Sequence, residues 1–150
     1  MKFAKNVMAA TSGKGSVAVN ASLLAGIGIH EALRLYGLSY VIDPASSYTD
    51  KAANKNAVDF LQYPRQTLEY KAGDCDDLSI LYASLFEAVG IETALITIPG
   101  HIFMAFSLGI TPEQARKDFF AVDDLILTET ASWLPIEITD RKVGFLAAWQ

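Results

Sequence analysis

Gly73-Asp74-Cys75-Asp76-Asp77 opens the stretch that decides the reading of this chain, and it runs directly into Leu78-Ser79-Ile80-Leu81-Tyr82-Ala83-Ser84-Leu85-Phe86. Leu78, Leu81, Tyr82, Leu85 and Phe86 recur at helical spacing, so one buried stripe predicts a helix from Cys75 to Val89 with Gly90 as its stop. Cys75 is the only cysteine in the chain. It falls at the first turn of that helix, where free N–H groups and the positive end of the helix dipole favour a thiolate. His101, one of two histidines, follows the Pro99-Gly100 turn downstream. A lone cysteine with a histidine elsewhere in the chain is the pattern of a cysteine nucleophile and its base. The other histidine, His30, lies inside an amphipathic helix and is expected to be exposed or half-buried there.

Downstream of that helix, Ile91 to Ile98 is rich in β-formers and Ile102 to Leu108 reads as a second strand. Thr111-Pro112-Glu113 carries the N-cap and N1-proline signature of a helix running to about Lys117. Phe119–Val122, Leu125–Thr128 and Trp133–Ile138 then predict a strand meander. Upstream, residues 2–11 suggest a short helix and Ser12–Ser16 a turn. Val17 to Tyr36 has helical periodicity, with Gly37 as a C-terminal stop. Tyr40-Val41-Ile42 reads as a short extended piece, 43–57 as a surface loop, and Val58–Tyr63 as an apolar element closed by Pro64. Helices first and antiparallel strands after them argue an α+β fold.

The chain's 150 residues suit one domain, 1–150, and 51% hydrophobic content with a mean hydropathy of +0.25 suits a packed core. The net charge is −5 and no basic cluster stands out, which argues against a nucleic-acid partner. One cysteine excludes an intramolecular disulfide and a cysteine-rich zinc site, but does not fix the compartment. The apolar run Val17–Ile29 is too short to span a bilayer and leads into His30, Glu31 and Arg34. A signal peptide over Met1–Ala25 is a weaker alternative, interrupted by Ser12-Gly13-Lys14-Gly15-Ser16. Ala147-Ala148-Trp149-Gln150 stops inside ordered-looking sequence, so the domain is expected to come from a longer protein with other domains.

A cysteine nucleophile also needs a group to hold the tautomer of its histidine. Glu137, Asp123 and Asp124 in the following strands are the candidates. At these residues the sequence resembles the transglutaminase-like superfamily, a branch of the papain-like cysteine peptidases. Gly73-Asp74-Cys75-Asp76-Asp77-Leu78 with Leu81, Leu85 and Gly90-Ile91 is similar to that family's nucleophile helix. Gly100-His101-Ile102-Phe103 resembles its histidine strand, and Trp133-Leu134-Pro135-Ile136-Glu137-Ile138-Thr139 its closing Trp-x-x-x-Asp-x-Thr strand. The likeness covers roughly residues 60–140.

The resemblance implies a papain-like core, with the nucleophile helix packed on an antiparallel sheet. It also implies a Cys75, His101, Glu137 triad acting on amide bonds of a protein or peptide substrate through a thioester, with no cofactor. Hydrolysis by a peptidase or amidase is the expected outcome. Protein crosslinking by acyl transfer, or a silent binding or scaffold domain, are the alternatives. Glu137 replaces the family's aspartate, and the helix at Thr111–Lys117 is an insertion that keeps Asp123 and Asp124 in contention.

Asp74, Asp76 and Asp77 crowd the same turn, which hard cations such as calcium favour. The preferred reading assigns no metal: Asp74 and Asp76 cap the helix and Asp77 pairs with a basic side chain. Tyr40 and Tyr63 are read as packing residues, with an oxyanion donor as the alternative role. The backbone N–H of Cys75 is the safer oxyanion donor, and Tyr63-Pro64-Arg65 is expected to line the approach. Trp133 is read as core or as a shield over the site.

Overall fold

The computed structural model describes residues 2, 5, 6, 20–42 and 61–149. The expected turn at Ser12–Ser16, the loop 43–57, most of the 2–11 helix, and the first residues of the Val17–Tyr36 and Val58–Tyr63 elements lie outside the described residues.

Helix α1 (Ala21–Tyr36) starts where Asn20 Oδ1 accepts the N–H of Leu23 at 3.0 Å. It stops at Gly37, whose φ of 85° turns the chain out of the helix while its N–H returns to Arg34 O. Ala25, Ile29 and Leu33 bury its inner face. A Cβ on Gly26 would stand 2.6 Å from Cζ of Phe106, so the close approach of α1 to the sheet requires glycine there.

Strand β1 (Ser39–Tyr40) then pairs in parallel with β2 (Ala72–Gly73), which follows the short helix α2 (Pro64–Tyr70). Val41 and Ile42, expected to extend β1, lie beyond it because β2 has only two residues to pair with. Helix α3 (Cys75–Glu87) is the central helix, and Leu78, Leu81, Tyr82, Leu85 and Phe86 are all buried as its stripe requires.

The hairpin β3 (Thr93–Ile98) and β4 (His101–Ser107) turns at Pro99-Gly100. Helix α4 (Pro112–Asp118) has the expected Thr111 cap, with Thr111 Oγ1 accepting from the N–H of Gln114 and Gln114 Oε1 from the N–H of Thr111. A 3-10 turn (Val122–Asp124), β5 (Ile126–Leu127), β6 (Ser132–Ile136) and α5 (Phe145–Trp149) complete the order.

The four-stranded sheet is antiparallel in the order β3-β4-β6-β5, so the fold is α+β. Met104, Phe106, Leu134 and Ile136 face the helices, and Phe106 stacks on Phe86 with ring centroids 4.6 Å apart. Among the described residues no helix is long and apolar enough to cross a membrane.

Two expectations need correction, and one element is new. Phe119–Val122 is not a strand: Phe119 is the C-cap of α4, and Val122 already belongs to the 3-10 turn. Phe119 instead meets Trp149 edge-on at 6.2 Å, and Phe120 is fully exposed. The terminal helix α5 was not anticipated; Phe145 and Ala148 bury against the core from it. His30 is neither exposed nor half-buried but wholly inside.

The burial of His30 is possible because both ring nitrogens are satisfied, Nδ1 by the Tyr82 hydroxyl at 3.1 Å and Nε2 by Val143 O at 3.2 Å. The buried Arg141 guanidinium also donates to the Tyr82 oxygen. A guanidinium can only donate, so the Tyr82 hydrogen points to Nδ1 and the ring must be neutral, with its proton on Nε2.

Burial holds the His30 pKa below its ordinary value; the Val143 carbonyl opposes this and the nearby Arg141 charge reinforces it. The unfolded chain therefore takes up this proton more readily than the folded one. Its contribution to stability is complete above the ordinary histidine value of about 6.5 and is lost as pH falls below it. The urea midpoint of a His30→Asn protein should consequently fall less between neutral and mildly acid pH than that of the parent. Parallel curves for the two proteins would contradict this account of His30.

Candidate active site

The site begins at the turn before α3. Asp74 caps the helix: its Oδ1 accepts the N–H of Asp77 at 3.2 Å, and its own N–H reaches Asp77 Oδ2 at 3.4 Å. Asp77 is buried and also accepts the backbone N–H of Gln62 at 2.7 Å and the Gln62 side-chain amide. The expected basic partner of Asp77 is absent among the described residues, since amide donors fill that role. Gly73 must lack a side chain, because a Cβ there would lie 2.7 Å from Cβ of Asp77. One oxygen from each of Asp74, Asp76 and Asp77 falls within 4.8 Å of the others. Asp74 and Asp77 spend their oxygens on N–H groups and on Gln62, which is the work of a helix cap.

Cys75 is half-buried as the first residue of α3. The expectation of a thiolate at the helix head does not hold. Burial pushes the Cys75 thiol up; the N–H of Ile102 and its own N–H pull it down, but the neighbouring Asp74 and Asp76 charges add to the rise, and the net shift is upward. Asp74 is itself pushed up to about 7, by burial first and then by its hydrogen bond with the Asp76 carboxyl.

His101 begins β4, and its Nε2 lies 2.8 Å from Glu137 Oε2, just past the end of β6. Glu137 Oε1 accepts both the N–H and the hydroxyl of Thr139, at 2.7 and 2.6 Å. Burial alone would raise the Glu137 carboxyl, but these Thr139 bonds and the one from His101 outweigh it and hold the group below the ordinary glutamate value. Glu137 is thus an anion near neutral pH and can only accept. His101 therefore donates to this carboxylate from Nε2, which leaves Nδ1 as the ring nitrogen that Glu137 does not engage.

Of the three acids weighed from sequence, Glu137 alone meets the ring. Asp123 and Asp124 are exposed on the 3-10 turn. Cys75 touches the histidine strand through the N–H of Ile102, the residue after His101. Among the described residues no direct hydrogen bond joins the thiol to the imidazole.

Tyr40 is brought to the same place by the pairing of β1 with β2, which sets it opposite Gly73. Burial, and then the charges of Cys75, Asp74 and Glu137, raise its phenol, so it remains an O–H donor. Tyr63, the other candidate, is an exposed N-cap of α2 and takes no part in the contacts around Cys75. Trp133 is half-buried within β6, opposite Ser107 and Ile126. Beside His101 and Glu137 lies a cavity of about 250 Å³ with Phe103 and Trp149 in its wall. Phe103 stands in the Gly100-His101-Ile102-Phe103 motif of the sequence, whereas no sequence signal points to Trp149. Thr139 was visible in the closing-strand motif, but its clamp on Glu137 was not.

The chain matches no protein-family model, and no curated protein or solved structure matches it.

Alkylation of Cys75 by iodoacetamide should inflect above the ordinary thiol value of about 8.5. Asp74→Asn keeps an oxygen to cap the helix and removes the charge. Its inflection should move down, with faster labelling at mildly alkaline pH, read by intact mass. An inflection below neutrality in the parent, or one unmoved in the variant, would contradict the electrostatics described.

Proposed function

We propose that this domain is a transglutaminase-like cysteine hydrolase with a papain-like core, cleaving amide bonds through a thioester on Cys75. The observation that carries the reading is the 2.8 Å His101–Glu137 pair, set one residue from the strand position that Cys75 touches. Three residue types suited to acyl transfer are gathered from three separate parts of the chain.

The raised thiol implies that the sulfur rests protonated. As the sulfur attacks the carbonyl, its proton passes to His101 Nδ1, and Glu137 stabilises the imidazolium that forms. The growing oxyanion is met by the N–H of Cys75 at the head of α3 and by the Tyr40 hydroxyl. The C–N bond breaks as His101 returns the proton to the departing amine. Water, activated by the now neutral His101, then opens the thioester and restores the thiol. An amine in place of water would make the same site an acyltransferase.

A second reading, a silent binding domain on the same scaffold, is favoured by one observation: burial and two carboxylates suppress the nucleophile.

Acylation with p-nitrophenyl acetate separates the two. The parent should acquire one acetyl group on Cys75, and Cys75→Ala none. His101→Ala should acetylate about a hundredfold to ten-thousandfold more slowly, the span of general acid–base assistance. Tyr40→Phe should lose roughly tenfold or more while keeping its thermal midpoint. Equal acetylation in parent and His101→Ala would leave an ordinary thiol and support the silent domain.

A further inference from the structure

The cavity beside His101 and Glu137 is walled by Ile98, Phe103, Pro135 and Trp149 together with that pair, while Cys75 is absent from its walls. Its position follows from the sheet. Ile98 faces His101 across the hairpin register. Phe103, two residues along β4, lies with its ring nearly parallel to the imidazole at a centroid distance of 6.0 Å. Pro135 precedes Glu137 by two residues, on the same side of β6. Trp149 closes the cavity from α5, fixed by its indole N–H on Asp124 O at 3.3 Å and by its edge contact with Phe119.

We infer that this cavity is the seat of the departing amine: it takes a primary amine bearing one apolar side chain, leucine- or phenylalanine-like. The assignment rests on the thioester reading above for its place in the reaction. Size supports one side chain, since an apolar cavity of about 150 Å³ already holds benzene and this one has about 250 Å³. Charge supports an amine. The wall is apolar except for the His101–Glu137 pair, and the Glu137 side chain is 41% exposed, so its carboxylate meets a positive group at the rim. Position supports the leaving side. The acyl half of a substrate is tied to Cys75, whereas the amine half must lie against His101 to receive its proton, and the cavity shares His101 without Cys75.

The same seat should admit an added amine in the reverse sense. The neutral amine nitrogen attacks the thioester carbonyl of acetyl-Cys75, the C–S bond breaks, and one amine proton returns to the sulfur through His101. The product is the N-acetyl amide.

Two measurements on the full chain test this. In a Trp133→Phe protein Trp149 is the sole indole, and its emission should respond saturably to phenylalaninamide or leucinamide but not to glycinamide. Ile98→Lys, at a half-exposed rim position, should weaken that response about tenfold by removing apolar wall and repelling the ammonium. In the second measurement, acetyl-Cys75 protein should transfer its acetyl group to phenylalaninamide about tenfold more efficiently than to glycinamide.

A saturable, side-chain-selective Trp149 response without any acetyl-enzyme would keep the cavity and overturn the catalytic reading. Normal acetylation with no Trp149 response would overturn the cavity's assignment and leave catalysis standing. A response equal for glycinamide, or unchanged in Ile98→Lys, would overturn it as well.

Discussion

The buried carboxylate of Asp77 is the constraint on which the site depends. A polar group that loses water must be met by partners, and Asp77 finds donors in the N–H of Asp74 and in both amide groups of Gln62. Those bonds fix three things together: the cap of α3, the approach of the 61–63 segment, and the tight fit of Gly73 against Asp77. Cys75 follows directly from that turn. Through β2, the turn also sets the register of β1 and so the place of Tyr40. One buried carboxyl group thereby positions the thiol and the phenol.

The other half of the site has a different logic. His101 and Glu137 sit at the beginning of one strand and just past the end of its neighbour, where ladder bonding gives way to side-chain bonding. Thr139 occupies one carboxylate oxygen with two bonds and leaves the second for the imidazole. Behind Thr139 the chain continues to Arg141, which is buried against Tyr82 and His30. Glu137 is thus held at short range by Thr139, and two residues on, Arg141 is tied by hydrogen bonds to Tyr82 of α3 and through it to His30 of α1. Its backbone N–H is held too, on Ala148 O of the terminal helix at 2.7 Å.

The legible parts of this chain were those whose cause is local. The α3 stripe, the Gly37 stop and the Thr111 cap each depend on residues within a turn or two. Misreadings arose where distant partners decide. Phe119–Val122 has β composition, but Phe119 ends α4 and meets the distant Trp149 instead. His30 reads as a surface residue until Tyr82 and Val143, 52 and 113 residues away, supply its two bonds. Glu137 could be preferred over Asp123 and Asp124 only by motif position, since only folding shows which acid reaches the ring. The electrostatic state of Cys75 was misread because helix position speaks for a thiolate, whereas burial and two adjacent carboxylates speak against it with more force.

The suppressed thiol has a consequence for the life of the protein. Peroxide attacks thiolate, not thiol, and the first product, a sulfenic acid, has no second cysteine in this chain with which to form a rescuing disulfide. A thiol kept protonated is shielded from that oxidation. The carboxylates that slow Cys75 as a reagent thus double as its protection in oxidising surroundings.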